Sequence, residues 1–191
     1  MGIEFELKYR ATPEIQEQIR KNGTWQTISM ETTYYDTPSK ALSRRHFTLR
    51  RRLENGKSVC TLKAPAGELG RGEWETECPQ IQRAIPELCK LGCPEILPFL
   101  VAEGLEEVCG ARFTRQAATV KTPAAVLEIA LDQGILFAGE KQIPLCEVEV
   151  ELKEGSREAA VAYAQALAEG CGLVPERGSK FKRALALREE G

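Results

Sequence analysis

The sequence contains no long apolar segment and few of the residues that usually form zinc sites. No apolar run approaches the ~20 residues that a membrane-spanning helix requires, and the N-terminal residues show no signal-peptide pattern. His46 is the only histidine, and the 7 cysteines are scattered, with Cys89 and Cys93 spaced more widely than C-x-x-C. These absences argue against a membrane span and a zinc site. We expect a cytoplasmic protein with reduced thiols.

An excess of charge of either sign is also missing. The 191 residues include 26 basic and 28 acidic side chains, for a net charge of −2. The chain as a whole therefore has no field that would attract nucleic acid or an anionic membrane, and an anion site has to come from local sorting of charge. Hydrophobic residues make up 42% and charged residues 28%, which is typical of a globular protein. The length predicts one domain over residues 1–191.

What the sequence does contain is a series of segments in which apolar and polar residues alternate. Such alternation indicates β-strands with one apolar face. It predicts eight strands, at 3–10, 26–36, 46–54, 57–64, 71–78, 108–121, 125–138 and 142–153. Asn55-Gly56 predicts a hairpin turn between two of them. The strands do not alternate regularly with helices, so the pattern favours an α+β fold over a parallel α/β sheet.

Helices are predicted between some of these strands. Thr12-Pro13 is typical of a helix start, with threonine as the cap and proline in the first turn. Ser156 predicts the start of an alanine-rich helix that ends near Gly170. Residues 80–103 predict two short helices, broken at Pro86 and Pro94.

Most charged residues of the strands fall on one face, opposite apolar residues. By strand these are Glu4, Glu6 and Lys8; Arg50 and Arg52; Lys63; Arg71, Glu73, Glu75 and Glu77; Arg115 and Lys121; Glu128 and Asp132; and Glu147, Glu149, Glu151 and Lys153. A solvated sheet face could also carry them, but it would contain more Ser, Thr, Asn and Gln. The charges are also sorted, since the first, seventh and eighth strands are acidic while the third, fourth and sixth are basic.

A closed sheet accounts for both properties of this pattern. The apolar faces then lie beneath helices, and the ionised faces line a tunnel with an acidic and a basic side. Buried charges are costly unless they are paired with each other or with a ligand. A polyanion bound with a divalent metal suits such a tunnel, because Lys and Arg bind phosphate oxygens and carboxylates bind Mg²⁺ or Mn²⁺.

Several motifs make the chain similar to one known family. The E-x-E-x-K of Glu4, Glu6 and Lys8 resembles the signature of the CYTH superfamily, the triphosphate tunnel metalloenzymes. The further motifs, in the expected order, are TTYYDTP (32–38), LRRR (49–52), TLK (61–63), EIALD (128–132), EVEVELKEG (147–155) and SKFKRAL (179–185). The resemblance implies a closed eight-stranded antiparallel β-barrel, the triphosphate tunnel, with helices packed outside it.

The resemblance also implies roles for individual residues. Glu4, Glu6 and Lys8 would belong to the catalytic machinery. The metal-binding carboxylates would be Glu4, Glu6, Asp132, Glu149 and Glu151, holding Mg²⁺ or Mn²⁺, with two ions expected. The substrate phosphates would be bound by Lys8, Arg50, Arg52, Lys63, Arg115, Lys180 and Arg183, the last two from a C-terminal segment that plugs the tunnel. A structural salt bridge is the alternative role for Lys8, Arg50, Arg52, Lys63 and Arg115.

Other residues of the ionised faces are left with open roles. Four further glutamates lie on the face of their strands that points into the tunnel, which we call the inward parity: Glu73, Glu75, Glu128 and Glu147. They either join the metal site or orient basic residues. Trp74 has the outward parity, which favours packing beneath a helix over a role in stacking on a substrate.

The favoured function is metal-dependent hydrolysis of a small-molecule triphosphate, with inorganic tripolyphosphate as substrate. Thiamine triphosphatase and class IV adenylyl cyclase are alternatives that share the tunnel and the metals. A non-catalytic module that binds polyphosphate or nucleotides is an alternative of another class. No nucleic-acid or membrane partner is expected, and the sequence leaves open whether the chain is a monomer or a homodimer.

Overall fold

The computed structural model describes residues 2–3, 5–21, 23–65 and 71–189. The strands are β1 (Gly2–Ile3), β2 (Glu6–Arg10), β3 (Gln26–Asp36), β4 (Thr48–Glu54), β5 (Lys57–Pro65), β6 (Arg71–Glu77), β7 (Glu106–Lys121), β8 (Ala125–Ala138), β9 (Lys141–Gly155) and β10 (Val174–Pro175). The helices are α1 (Pro13–Arg20), α2 (Ile81–Lys90), α3 (Leu97–Leu100), α4 (Arg157–Cys171) and α5 (Lys180–Glu189), with a 3₁₀ turn at Ser43–Arg45. The fold is therefore α+β, as predicted.

The strands form one antiparallel sheet, in the order β1-β6-β5-β4-β3-β7-β8-β9-β2-β10. The prediction of eight strands is corrected to ten within the described residues. The expected first strand is divided, because Gly2–Ile3 pairs with β6 whereas Glu6–Arg10 pairs with β9. The ladder ends at β1 and β10, so the pairing by itself does not establish a closed barrel. β1 and β2 are nevertheless only two residues apart in the chain, which brings distant parts of the ladder close together.

Short-range signals in the sequence account for most element boundaries. Asn55 and Gly56 both have positive φ, at 50° and 86°, and join β4 to β5 as the predicted hairpin turn. The hydroxyl of Thr12 accepts a hydrogen bond from the backbone of α1, and that of Ser156 does so for α4. Gly172, in the left-handed region, ends α4.

The predicted helix break at Pro86 is wrong, because Pro86 lies inside α2. Proline removes the hydrogen bond to the carbonyl four residues earlier, here that of Gln82. Both residues lie on the exposed side of the helix, where water can satisfy that carbonyl.

The outer face of the sheet is apolar and covered by helices. Trp74 of β6 is only 4% exposed and packs in one cluster with Leu62 of β5 and Leu88 of α2. A second cluster joins Val148 of β9 to Ala160 of α4. The apolar parity therefore faces outward beneath helices, as predicted, and burial of this surface supplies much of the driving force for folding.

α5 lies on the opposite, inner face of the sheet. Phe181 and Leu187 of α5 pack with Phe113 of β7, Leu136 of β8 and Leu145 of β9. These strand residues have the same parity as the charged side chains, so α5 covers part of the ionised face. Within the described residues, no helix combines the length and the apolar composition that crossing a membrane would require.

Candidate functional site

The inner face of the sheet and the start of α5 surround a cavity of about 560 Å³. Its walls are dominated by ionised side chains. The basic residues that line it are Lys8, Arg50, Arg52, Lys63, Arg71, Arg115, Lys153 and Lys180. The acidic ones are Glu6, Glu54, Glu73, Glu75, Glu128, Glu149 and Glu151. All of these strand residues have the inward parity that the alternation predicts.

The basic wall is built mainly by β4 and β5. Arg50 and Lys63 share one carboxylate, that of Glu73, at 3.6 and 3.5 Å. Arg52 is 8% exposed, donates to the Thr32 hydroxyl at 3.3 Å, and lies 3.5 Å from Glu54.

Positive charge is in excess around Arg52. Burial lowers the pKa of Arg52, and the neighbouring guanidinium groups of Arg50 and Arg115 lower it further, to about 10. The side chain is still charged at neutral pH, but its charge is opposed by its surroundings. An anion in the cavity would relieve this repulsion.

Three glutamates on neighbouring strands form the acidic wall. Glu6 of β2 lies directly opposite Glu151 of β9, which in turn lies opposite Glu128 of β8. We call these three residues the acidic rung. Lys8 contacts Glu6 at 3.1 Å, and Lys153 lies 2.9 Å from Glu151 and 3.7 Å from Glu128. Their carboxylates remain a quarter to a third exposed to the cavity, where a cation could reach them.

A second carboxylate cluster lies deeper, where α5 meets β8 and β9. Carboxylate oxygens of Asp132, Glu147 and Glu149 lie within 4.8 Å of one another, and all three residues are buried. We call this cluster the cage. The Lys180 ammonium lies 2.8 Å from Asp132 and 2.7 Å from Glu149, and it also contacts Glu147.

Two guanidinium groups flank the cage. Arg115 donates two hydrogen bonds of 2.7 Å to Asp132 and one of 2.6 Å to Glu149. Arg183 contacts Glu147 and lies 3.7 Å from Glu176. The cage thus holds three carboxylates against three cations.

The pKa values of the cage residues reflect this pairing. Burial alone would raise the pKa of Glu149, but Lys180 and Arg115 outweigh it and hold that pKa well below its usual range. Burial raises the pKa of Glu147, and the positive charges of Lys180 and Arg183 offset only part of this increase. Burial would lower the pKa of Lys180, but the carboxylates of Asp132, Glu149 and Glu147 raise it well above its usual value.

α1 positions the backbone of the cage from outside the sheet. The buried amide of Gln16 donates to the carbonyl of Asp132 at 3.0 Å and to that of Glu147 at 2.8 Å. These two residues face each other across β8 and β9. Sequence reasoning did not identify Gln16, because the contact depends on where α1 packs against the sheet.

The structure brings most of the predicted site residues together. Those that line the cavity are Glu6, Lys8, Arg50, Arg52, Lys63, Arg115, Glu149, Glu151 and Lys180. Asp132 lies behind this surface at 0% exposure, and Arg183 contacts Glu147 and Glu176 rather than the cavity wall. Glu4 lies outside the described residues. The roles of all these residues stay predictions.

Some cavity residues were not assigned a role from the sequence. Arg71, which donates to the Thr48 hydroxyl at 2.6 Å, and Lys153 have the inward parity, so the alternation could have identified both. Tyr34 also lines the cavity, but nothing in its sequence context distinguishes it from the neighbouring Tyr35.

Fold and cavity define an α+β protein in which one face of an antiparallel sheet lines a strongly ionised site. The CYTH domain family profile matches residues 2–185. The chain belongs to the CYTH family, which confirms the resemblance seen in the sequence.

Similarity to individual proteins agrees with this assignment. The chain is 28% identical, over 196 residues, to an inorganic triphosphatase of Haemophilus influenzae, with 96% of this chain and 54% of that protein covered. The chain therefore spans about half the length of this relative.

Two solved structures share the fold. One is a protein of Pyrococcus horikoshii, with a TM-score of 0.66, 24% identity, and 98% of this chain and 99% of that one covered. The other is a Hippeastrum adenylyl cyclase candidate with a dominant triphosphatase activity, with a TM-score of 0.65, 18% identity, and coverage of 96% and 95%.

Proposed function

We propose that this protein hydrolyses a triphosphate, with the help of a divalent metal ion, inside the cavity of its sheet. The observation that carries the proposal is the separation of a basic wall from the acidic rung, since a metal–triphosphate complex needs both kinds of group. Membership of the CYTH family and similarity to an inorganic triphosphatase support this class of reaction. Inorganic tripolyphosphate is the proposed substrate, cleaved to pyrophosphate and phosphate.

The basic wall would bind the phosphoryl oxygens. Arg50, Arg52 and Lys63 lie side by side on β4 and β5, where Arg50 and Lys63 contact Glu73 and Arg52 contacts Glu54. Charge-assisted hydrogen bonds from such groups are about twice as strong as neutral ones. A bound triphosphate would also offset the repulsion of Arg52 by Arg50 and Arg115.

The acidic rung is the proposed site of the divalent ion, because Glu6, Glu151 and Glu128 offer the kind of oxygen ligand that Mg²⁺ and Mn²⁺ prefer. Such an ion supplies charge neutralisation at the phosphoryl group and makes a bound water easier to deprotonate. Lys8 and Lys153 offset two of the three negative charges of the rung in this structure. With an ion present, both ammonium groups could turn to the phosphates. Glu4 is proposed as a further ligand of this ion, and that proposal rests on the sequence motif alone.

The second ion that the family resemblance implies would use Asp132, Glu149 and Glu151. In this structure the oxygens of Asp132 and Glu149 already bind Arg115 and Lys180. We therefore propose one ion, at the acidic rung, and keep a second ion as the alternative in which Lys180 leaves the cage.

Closure of the sheet into a tunnel is part of the proposal. It is supported by the short link between β1 and β2, which pair with β6 and β9 respectively. Other parts of the proposal rest on the sequence alone. Residues 1–191 form a single domain, in the cytoplasm, without nucleic-acid or membrane partners. The protein is a monomer, with a homodimer as the alternative.

An organic triphosphate is the second candidate substrate. Phe5, Ile28 and Met30 contribute an apolar part to the cavity wall that inorganic tripolyphosphate does not need. This surface favours thiamine triphosphate or ATP, and with ATP the chemistry could be that of a class IV adenylyl cyclase. A non-catalytic binding module would need the basic wall but not the acidic rung.

Product analysis across several substrates tests the proposal. Phosphate, pyrophosphate and cyclic AMP would be measured with tripolyphosphate, thiamine triphosphate, ATP and pyrophosphate, in Mg²⁺, in Mn²⁺ and in EDTA. We expect the highest kcat/KM with tripolyphosphate, and no turnover in EDTA. An Arg52→Met variant purified in parallel controls for contaminating phosphatases. Higher kcat/KM with an organic triphosphate would favour the second candidate, and binding without turnover would favour the module.

A further inference from the structure

We infer that Lys180 is a positioning residue that takes the place of a metal ion in the cage and holds α5 on the inner face of the sheet. Its ammonium would then serve the carboxylates of Asp132, Glu147 and Glu149 rather than the substrate phosphates. Removing it should turn the cage into a binding site for a divalent cation. The inference goes beyond the proposed function and does not depend on which triphosphate is hydrolysed.

The geometry matches the bonding capacity of an ammonium group. Lys180 has three N–H donors and no acceptor, and each of three carboxylates lies within contact of its nitrogen. Lys180 and Glu149 are 8% exposed, while Asp132 and Glu147 are fully buried. All three donors can therefore be satisfied by the carboxylates of the cage.

The charge balance explains why the cage needs this residue. Lys180, Arg115 and Arg183 together match the three carboxylates. Without Lys180, one buried carboxylate would lack a counter-charge while oxygens of all three remain within 4.8 Å. A buried charge that has lost its partner is strongly destabilising. A divalent cation, which prefers carboxylate oxygens, could restore the balance.

The same residue fastens α5. Lys180 is the first residue of the helix. The next residue, Phe181, packs against Tyr34, with 5.2 Å between the centroids of the two rings. Further along, Ala184 and Leu187 are buried in the same core cluster. The ionic contact at Lys180 and this apolar face together set where α5 lies, and α5 contributes Lys180 and Phe181 to the cavity wall, next to Ser179.

Comparison of Lys180→Met with Lys182→Met tests the inference. Both remove one positive charge from the same helix, but Lys182 is exposed. In EDTA we expect the Tm of Lys180→Met to fall by roughly 6–20 °C, and that of Lys182→Met to stay at the wild-type value. Added Mn²⁺ should raise the Tm of Lys180→Met more than that of the other two proteins. Electron paramagnetic resonance should show one additional bound Mn²⁺ per chain.

Each result is a difference between the two variants. The contribution of metal sites elsewhere in the protein is therefore the same in both and cancels. Equal Tm values and equal Mn²⁺ binding in both variants would overturn the inference. If Lys180→Met does not fold, the charge-balanced variant Lys180→Met/Glu147→Gln decides the matter. We expect it to fold and to be more stable than Lys180→Met, and a double variant that is no more stable would also overturn the inference.

Discussion

Replacing Arg52 with methionine should weaken the use of triphosphate without destabilising the ligand-free protein. Methionine keeps an apolar side chain of similar reach but removes the charge. Arg52 is buried in the basic wall, and its charge is opposed by Arg50 and Arg115. A residue that serves a ligand at the expense of stability should show these two effects together.

The structure gives the size of both effects. Lowering the pKa of Arg52 from its usual value to about 10 corresponds to about 3 kcal/mol against the charged form. This cost is present at neutral pH, which lies below both values. Loss of the hydrogen bond to Thr32 costs about 1 kcal/mol and partly offsets the gain. A net gain of about 2 kcal/mol would raise the Tm of the ligand-free protein by roughly 4–8 °C. Loss of a charge-assisted phosphate contact should lower kcat/KM about 10- to 100-fold.

Differential scanning calorimetry and steady-state phosphate release measure the two effects. Arg112→Met is the matched control, because Arg112 has the outward parity on β7 and its side chain is 61% exposed. We expect the control to keep wild-type activity and a Tm close to wild type. A lower Tm together with unchanged kcat/KM for Arg52→Met would refute the reasoning and show that Arg52 serves the fold alone.

Three further predictions follow from the site and its surroundings. Glu151→Gln removes a ligand charge from the acidic rung and should lower kcat strongly, with partial recovery at high Mn²⁺, while circular dichroism shows a folded protein. Gln16→Ala leaves two buried carbonyls of the cage without their donor, so we expect the free energy of unfolding in urea to fall by about 1–3 kcal/mol. Burial raises the pKa of the Cys60 thiol to about 11 and that of Cys109 to about 12; both should therefore resist iodoacetamide at pH 8 in the native protein and react after unfolding.

Each of these predictions can fail in a specific way. Metal-independent activity at the wild-type level in Glu151→Gln would remove that residue from the metal site. An unchanged urea midpoint for Gln16→Ala would mean that water replaces the lost amide. Rapid native alkylation of Cys60 would show that β5 opens on the time scale of the assay.

Local pattern in the sequence was sufficient to predict most of the strands and their faces, but not the division of the first strand or the short β10. Alternation has a period of two residues, so each strand records which side chains point inward without reference to any other strand. The hairpin at Asn55-Gly56 and the caps at Thr12 and Ser156 depend only on neighbouring residues. For the same reason the motifs that identify the family, such as E-x-E-x-K, can be read directly from the chain.

Only the tertiary structure decided which charged groups meet. Register places Glu6, Glu151 and Glu128 on one rung, although they come from three separate strands. Lys180 reaches the cage only because α5 folds back onto β7, β8 and β9. Such pairings depend on register and helix packing over long stretches of chain, and the inward parity of a side chain does not specify its partner. The sequence therefore determined which residues face the cavity, and the tertiary structure determined that the carboxylates of the cage bind lysine and arginine.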